Sequence, residues 1–158
     1  MTGRSAVFLD RDGTLIEDPP PGFLSDPDLV HPLPGAVDAI AQLDRSGLLP
    51  IIVTNQSGIA RGMISEEQYH RVARRVEEVL ARGGGRIAAT LHCPHYPAVT
   101  GACGCRKPGT ALYREAHQKF DLDFASSWWV GDRISDVEPA RVLGGRGILI
   151  VHSGAPLD

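Results

Sequence analysis

Two aspartates one residue apart carry the clearest chemistry in this sequence. Asp10 and Asp12 directly follow an apolar run, Ala6-Val7-Phe8-Leu9, and precede Gly13-Thr14. The run predicts a buried strand, and the glycine predicts the turn that ends it. Because open α/β sheets bind ligands at the carboxyl ends of their strands, we expect both carboxylates to face one cavity there.

Carboxylates this close repel each other, and a divalent cation or a shared proton relieves the repulsion. The pair can then divide two roles: a metal-bound Asp10 attacks phosphorus, while Asp12 protonates the leaving oxygen and later deprotonates water. A plain turn closed by Asp12-Gly13 is the alternative, because Asp-Gly pairs are common in turns. An EF-hand loop is excluded, since Thr14 and Leu15 stand where that loop needs a ligand and a glycine.

The segment Asp10-Arg-Asp-Gly-Thr14 resembles the first motif of the haloacid dehalogenase superfamily phosphatases, which hydrolyse phosphate esters through an aspartyl-phosphate. Gly131-Asp-Arg-Ile-Ser-Asp136 is similar to the fourth motif of that superfamily, although a strand followed by a helix cap is an alternative interpretation. The resemblance implies a catalytic Mg²⁺ with Asp10, Asp12 and Asp132 as ligands and Asp136 in support behind them. Few carboxylates and several retained waters are typical of magnesium.

A second β-branched run, Pro50–Thr54, ends at a hydroxyl group and continues into a turn. A hydroxyl and nearby backbone N–H groups can stabilise a phosphoryl group in transfer. Thr54-Asn55-Gln56 resembles the second superfamily motif, so we expect a catalytic Thr54 rather than a turn or cap residue. Ser57-Gly-Ile-Ala-Arg61-Gly resembles the heptose-bisphosphate phosphatases more than the histidinol-phosphate phosphatases, with a solvated arginine as the alternative. The predicted substrate-binding residues are Asn55, Gln56, Ser57, Arg61, Arg106 and Arg133.

All three cysteines fall in one short, turn-rich segment together with a histidine. Cys93, His95, Cys103 and Cys105 supply the four ligands of a closed, structural tetrahedral zinc site. The alternatives are free thiols beside a surface histidine, or His92 as a substitute ligand. The segment resembles the zinc loop, here about residues 92–107, of the heptose-bisphosphate and histidinol-phosphate phosphatases.

Two cations follow the last zinc ligand, so a metal there would fix where both of them point. Lys107 matches the third superfamily motif and is predicted to neutralise Asp10 and the phosphoryl oxygens. The planar guanidinium of Arg106 suits a second phosphate or the hydroxyl groups of a substrate. An exposed, merely solubilising Arg-Lys pair is the alternative.

Composition limits the kind of protein this can be. A chain of 158 residues predicts one domain over 1–158, and a net charge of −3 with a pI near 6.0 argues against nucleic acid and anionic membranes as partners. No apolar run approaches the ~20 residues of a transmembrane helix. Without a signal-peptide pattern at the N-terminus, we expect a cytoplasmic monomer.

Strand and helix patterns alternate along the whole chain. Strands are predicted at 6–9, 50–54, 87–91, 128–132 and 147–151, and helices at about 35–47, 65–83, 109–120 and from 135 onwards. Consecutive prolines make residues 18–22 a loop. The alternation predicts an α/β fold: a doubly wound, mainly parallel, Rossmann-like sheet with helices on both faces, no cap domain and a small zinc loop.

The predicted activity is magnesium-dependent hydrolysis of a phosphomonoester. The resemblance narrows the substrate to a small phosphorylated sugar, the 7-phosphate of D-glycero-D-manno-heptose 1,7-bisphosphate, with histidinol phosphate as the alternative. A zinc-stabilised protein that binds a sugar phosphate without turnover is a further alternative, but simple binding has little use for Asp12.

Overall fold

Five parallel strands form one sheet in a computed structural model that describes residues 3–18 and 22–152. The strands are β1 (Ala6–Leu9), β2 (Leu49–Asn55), β3 (Ala89–Cys93), β4 (Trp128–Gly131) and β5 (Arg146–Leu149). Their order across the sheet is β3-β2-β1-β4-β5. The chain therefore moves outward from β1 in one direction and then in the other, which places the switch point between β1 and β4. Ligands bind at such a point in open α/β sheets.

Helices cover both faces of this sheet. They are α1 (Ala36–Arg45), α2 (Glu66–Leu80), α3 (Pro97–Thr100), α4 (Ala111–Phe120) and α5 (Ile134–Leu143). The N-terminus of α2 is a capping box: Gln68 N–H donates to Ser65 Oγ at 3.0 Å, and Ser65 N–H donates to Gln68 Oε1 at 2.9 Å.

Side chains of β1 alternate between two hydrophobic cores. Val7 and Leu9 pack into the core that contains the buried residues of α1 and α2, whereas Ala6 and Phe8 pack into the core of α4. The Phe8 ring lies 4.7 Å from the ring of Trp129. Burying each such side chain stabilises the fold by about 1.5–3 kcal/mol, so the strand that delivers Asp10 is held from both sides.

The predicted fold class is confirmed, while β3 begins and ends two residues later than predicted and β5 ends two residues earlier. β3 ends at Cys93 rather than at residue 91, because its ladder with β2 continues to the pair Asn55 and Cys93. The last strand ends at Leu149, because its partner β4 stops at Gly131, where the chain turns toward α5. Residues 19–21 of the predicted proline-rich loop lie outside the described residues.

The short helix α3 was not predicted; it lies inside the cysteine-rich segment and begins at Pro97, a residue suited to the first turn of a helix. Across 3–18 and 22–152, no helix has the length and apolar character needed to cross a membrane.

Candidate active site

A cavity of about 540 Å³ opens at the carboxyl ends of the central strands. Residues from the turns after β1, β2 and β4 line it, together with residues that follow the cysteine-rich loop. The lining residues are Asp10, Asp12, Asp18, Gly22, Phe23, Thr54, Asn55, Ser57, Arg61, Arg106, Lys107, Arg133, Ser135 and Asp136. The sequence therefore predicted most of this wall.

Three carboxylates meet beside the cavity, and two of them, those of Asp10 and Asp136, line its wall. Asp10, Asp132 and Asp136 each place an oxygen within 4.8 Å of the other two. A side chain at Gly13 would collide with the carboxylate of Asp132, and the φ of Gly13 is +84°, so glycine is needed there on both counts. This glycine lets the turn after β1 approach the turn after β4.

The carboxylate of Asp132 lacks the protein partners that its burial demands. Oδ1 of Asp132 is buried and has no hydrogen-bond partner among the described residues. Burial, together with the neighbouring carboxylate of Asp10, raises the pKa of Asp132 to about 6. A hard divalent cation would satisfy the orphaned oxygen and the repulsion between the carboxylates together, so the donor set fits Mg²⁺.

Lys107 is the cation that holds this cluster in the protein alone. Its Nζ donates to Asp10 Oδ1 at 2.9 Å, to Asp136 Oδ1 at 2.6 Å and to the carbonyl of Val53 at 2.7 Å. Burial lowers the pKa of Lys107, but the two carboxylates outweigh burial, and the pKa is raised overall. Asn55 Oδ1 accepts a hydrogen bond from the Lys107 N–H at 3.0 Å and so fixes the backbone beneath the ammonium.

The side chain of Asp12 is not part of the acidic cluster and is bound by two neighbouring side chains. Arg11 donates to it through Nε at 2.9 Å and Nη2 at 3.2 Å, and Gln56 Nε2 donates to its Oδ2 at 3.1 Å. The acidic cluster thus contains Asp136, predicted to stand behind the magnesium ligands, and not the predicted carboxylate of Asp12. Gln56, predicted to bind substrate, is instead 3% exposed and is absent from the cavity wall.

Three arginines bring positive charge to the cavity, as predicted: Arg61, Arg106 and Arg133. The guanidinium of Arg61 lies 5.3 Å from the ring centre of Phe23 and 4.8 Å from that of Tyr96. Nη1 of Arg106 is buried without a hydrogen-bond partner in the described part of the chain. A buried donor that lines a cavity in this way is suited to an anion.

Sequence reasoning missed four residues of the cavity wall: Asp18, Gly22, Phe23 and Ser135. Asp18, Gly22 and Phe23 lie in the loop after β1, which carries no recognised motif there, and Ser135 lies in the first turn of α5. Burial and the neighbouring Asp12 raise the pKa of Asp18. The only sequence signal for Asp18 and Phe23 is that an acid and an aromatic residue occur in the loop after β1. Ordinary loops often contain both, so this signal does not identify a site.

The four predicted zinc ligands converge. Cys93 Sγ lies 3.7 Å from Cys103 Sγ, 2.9 Å from Cys105 Sγ and 3.5 Å from His95 Nδ1. A Zn–S bond of about 2.3 Å implies sulfur separations of about 3.8 Å in a tetrahedral site. The Cys93–Cys103 distance agrees with this value, whereas Cys93 and Cys105 are closer together than zinc would hold them. The donor set therefore fits a closed zinc site, and His92 lies outside the cluster.

The thiols of this cluster differ in acidity in the protein alone. The backbone N–H of Arg106 lowers the pKa of Cys103 to about 6, whereas burial raises the pKa of Cys93 to about 12. A metal ion that binds both residues as thiolates would have to displace the proton from Cys93.

Comparison with known proteins agrees with this geometry. A family model described as HAD-hydrolase-like matches residues 104–155. D-glycero-beta-D-manno-heptose-1,7-bisphosphate 7-phosphatase of Haemophilus ducreyi is 37% identical over 157 residues, which cover 96% of this chain and 85% of the relative. The chain belongs to the haloacid dehalogenase superfamily, in the branch of the heptose-bisphosphate phosphatases.

Two solved structures of this superfamily share the fold closely. A HAD-like phosphatase from Mesorhizobium loti superposes with a TM-score of 0.87 at 34% identity, covering 94% of this chain and 73% of that one. D,D-heptose 1,7-bisphosphate phosphatase from B. bronchiseptica, complexed with magnesium and phosphate, gives a TM-score of 0.83 at 34% identity, covering 92% of this chain and 79% of that one. The predicted superfamily and branch are therefore confirmed.

Proposed function

We propose that this protein is a magnesium-dependent phosphatase that removes the 7-phosphate of D-glycero-D-manno-heptose 1,7-bisphosphate through an aspartyl-phosphate at Asp10. The observation that carries the proposal is the acidic cluster of Asp10, Asp132 and Asp136 with the Lys107 ammonium against it. A structural role alone does not explain the orphaned buried oxygen of Asp132, since a neutral side chain would avoid its desolvation.

Each residue of the cluster has a task in this reaction. Asp132, Asp136 and one oxygen of Asp10 would hold Mg²⁺, which neutralises charge on the phosphoryl oxygens when it is bound. Asp10 attacks phosphorus with its other oxygen while Lys107 and the Thr54 hydroxyl face the transferring group. Lys107 also keeps the nucleophile oriented, because it binds Asp10 at 2.9 Å.

Asp12 completes the two half-reactions. In the first, the bond from phosphorus to the sugar oxygen breaks and the proton of Asp12 passes to that oxygen. In the second, water attacks phosphorus, its proton passes to Asp12, and the bond to Asp10 breaks to release phosphate. The carboxyl group of Asp12 lines the cavity and is 22% exposed, so it is accessible for both transfers.

The relatives and the arginines together support the choice of substrate. The Haemophilus ducreyi relative is named for the 1,7-bisphosphate, and the Bordetella structure contains magnesium and phosphate. A bisphosphate has a second anionic group, for which Arg61 and the unpartnered Nη1 of Arg106 are available in the cavity wall. Histidinol phosphate has no second phosphate to use them.

We further propose that residues 1–158 form one domain whose cysteine-rich loop holds a structural zinc ion. Four protein ligands fill a tetrahedral zinc site and leave no position for a water molecule. Zinc would thus fix the direction of Arg106 and Lys107 rather than take part in the chemistry.

Phosphate release tests the activity, with Asp38→Asn as the matched control because Asp38 is an exposed acid on α1. In MgCl₂, the wild type and Asp38→Asn should release phosphate equally, and Asp10→Asn should lose at least about a thousandfold in kcat, as expected for loss of a covalent nucleophile. An Asp10→Asn enzyme with full activity would remove Asp10 as the nucleophile. Tight sugar-phosphate binding without phosphate release would support a binding protein instead.

The substrate is tested by comparing the heptose 1,7-bisphosphate with histidinol phosphate under identical conditions. The bisphosphate should give the higher kcat/KM, and a clear preference for histidinol phosphate would replace the proposed substrate while leaving the phosphatase mechanism intact.

A further inference from the structure

Arg11, between the two catalytic aspartates, is among the most deeply buried charged residues that the structure describes. Its exposure is 1%, although arginine is rarely buried without a partner because desolvating the charge is costly. Its Nε and Nη2 both donate to the carboxylate of Asp12, at 2.9 and 3.2 Å. This is the parallel two-bond arrangement of a guanidinium with a carboxylate, which fixes the plane as well as the position of the acid.

Gln56 adds a third donor to the same carboxylate. Its Nε2 lies 3.1 Å from Asp12 Oδ2 and 2.9 Å from Thr54 Oγ1. Gln56 and Thr54 are 3% and 1% exposed, so this amide is held inside the protein between two residues of the active site. Both oxygens of Asp12 are therefore held by side chains that do not themselves face the substrate.

The other side of the guanidinium is supported by an aromatic ring. The Cζ of Arg11 lies 5.8 Å from the ring centre of Tyr69, which is 2% exposed and stacks on His92 at 4.0 Å. Burial raises the pKa of Tyr69 to about 12, so the phenol stays neutral beside the cation. Arg11 is consequently fixed by its ion pair on one side and by packing on the other.

We propose that Arg11, assisted by Gln56, is the positioning residue for Asp12, the proposed acid and base, and this inference rests on the proposed function. The carboxylate is held beside the cavity with its two oxygens oriented, ready to accept the proton of the attacking water. Loss of the guanidinium leaves Asp12 with one amide donor and more than one rotamer, so the water step should slow most.

A leaving-group comparison separates positioning from a merely structural role. The nitrophenolate of p-nitrophenyl phosphate leaves without a proton, so formation of the aspartyl-phosphate needs no acid, whereas its hydrolysis still needs Asp12 as base. Arg11→Met should therefore give a burst of nitrophenol near one per active site, followed by a steady rate about 10–100-fold below that of the wild type. Arg11→Lys keeps the charge but loses the two parallel hydrogen bonds of the guanidinium, so its steady rate should lie between those of the wild type and Arg11→Met.

An alkyl phosphate should lose more activity than the aryl ester in the Arg11→Met enzyme, because both of its half-reactions need Asp12. The same substitution in an Asp12→Asn background should cause no further loss, since the two residues act as one unit. Arg71→Met is the matched control: Arg71 is an exposed arginine whose pair with Glu67 is 3.5 Å long, and its loss should leave both rates unchanged.

If circular dichroism shows that Arg11→Met does not fold, Gln56→Met provides the same burst test, because it removes the other donor to Asp12 without removing a charge. Folded Arg11 and Gln56 variants without a burst, or with equal losses for alkyl and aryl esters, would overturn the inference while an active wild type upholds the proposed function. A wild type without magnesium-dependent turnover of either ester would overturn the proposed function and this inference with it.

Discussion

Asp132 is the residue at which the acidic cluster is least satisfied. One of its oxygens is buried without a partner, and its pKa is raised to about 6 by burial and by Asp10. Lys107 binds Asp10 and Asp136, but no described ion pair links it to Asp132. The metal-free protein is therefore destabilised at the position where a cation binds most favourably, which is a common cost of an active site.

We predict that Asp132→Asn stabilises the metal-free protein above pH 6 while abolishing activity. The folded-state pKa of Asp132, about 6, exceeds its ordinary value of 3.8. The folded state then holds the proton more tightly, so stability from this group is complete below about pH 4 and is lost as the pH rises through about 6. In magnesium-free buffer at pH 8, the melting temperature of Asp132→Asn should exceed that of the wild type by a few degrees, about 2–4 °C per kcal/mol for a chain of this size.

Magnesium should reverse that order. Adding MgCl₂ should raise the melting temperature of the wild type and leave Asp132→Asn nearly unchanged, because the variant lacks a ligand. Thermal unfolding between pH 4 and pH 8, with and without MgCl₂, measures both effects. The same pH dependence of stability in the wild type and in Asp132→Asn, both in magnesium-free buffer, would contradict the assignment of the raised pKa to Asp132.

Motifs indicated the positions of single proposed catalytic residues better than the contacts between them. Asp10, Thr54 and Lys107 each follow a recognisable pattern and all line the cavity. The orientation of Asp12 did not follow from sequence, because it depends on the burial of Arg11, and an arginine between two aspartates looks like a solvated residue. Tertiary packing against Tyr69 decides that point, and no local spacing encodes it.

At the level of elements, the strands were predictable because continuous apolar runs identify buried parallel strands. The end of β3 was harder to predict. Cys93 resembles a metal ligand in a loop, yet it forms the last pair of the β3 ladder with Asn55 of β2. This pairing has a consequence for function. It anchors the first thiol of the cysteine-rich loop to the sheet, so that a metal there ties the loop, and the Lys107 that follows it, to the catalytic edge.

We predict that His95→Ala loses the zinc ion and that His92→Ala keeps it. His95 Nδ1 lies 3.1 Å from Cys105 Sγ, whereas the ring of His92, three residues earlier, stacks on Tyr69 at 4.0 Å. Metal analysis should give about one zinc per chain for the wild type and His92→Ala, and much less for His95→Ala. In His95→Ala, kcat/KM should fall at least about tenfold, because Lys107 loses its anchor. Equal zinc content in the two variants would exclude His95 as a ligand.

At the scale of the whole molecule, positive side chains are concentrated in the cavity although the chain as a whole is negatively charged. The chain carries a net charge of −3, yet its cavity has Arg61, Arg106 and Arg133 in the wall and Lys107 at the acidic end. No inserted domain covers this cavity in residues 3–18 and 22–152. An anion distant from the reacting phosphate is the group that such a wall recognises.

We therefore predict that the second phosphate contributes to catalysis through Arg106. A charge-assisted hydrogen bond contributes about 1.5–3 kcal/mol, or roughly 10–150-fold in kcat/KM. Arg106→Met should lower kcat/KM by that factor for the heptose 1,7-bisphosphate and by less than about threefold for the heptose 7-phosphate. Arg82→Met, which removes an exposed arginine outside the cavity wall, should change neither value. Equal losses for the two substrates would mean that Arg106 serves the transferring phosphoryl group, and the choice of a bisphosphate would lose its structural support.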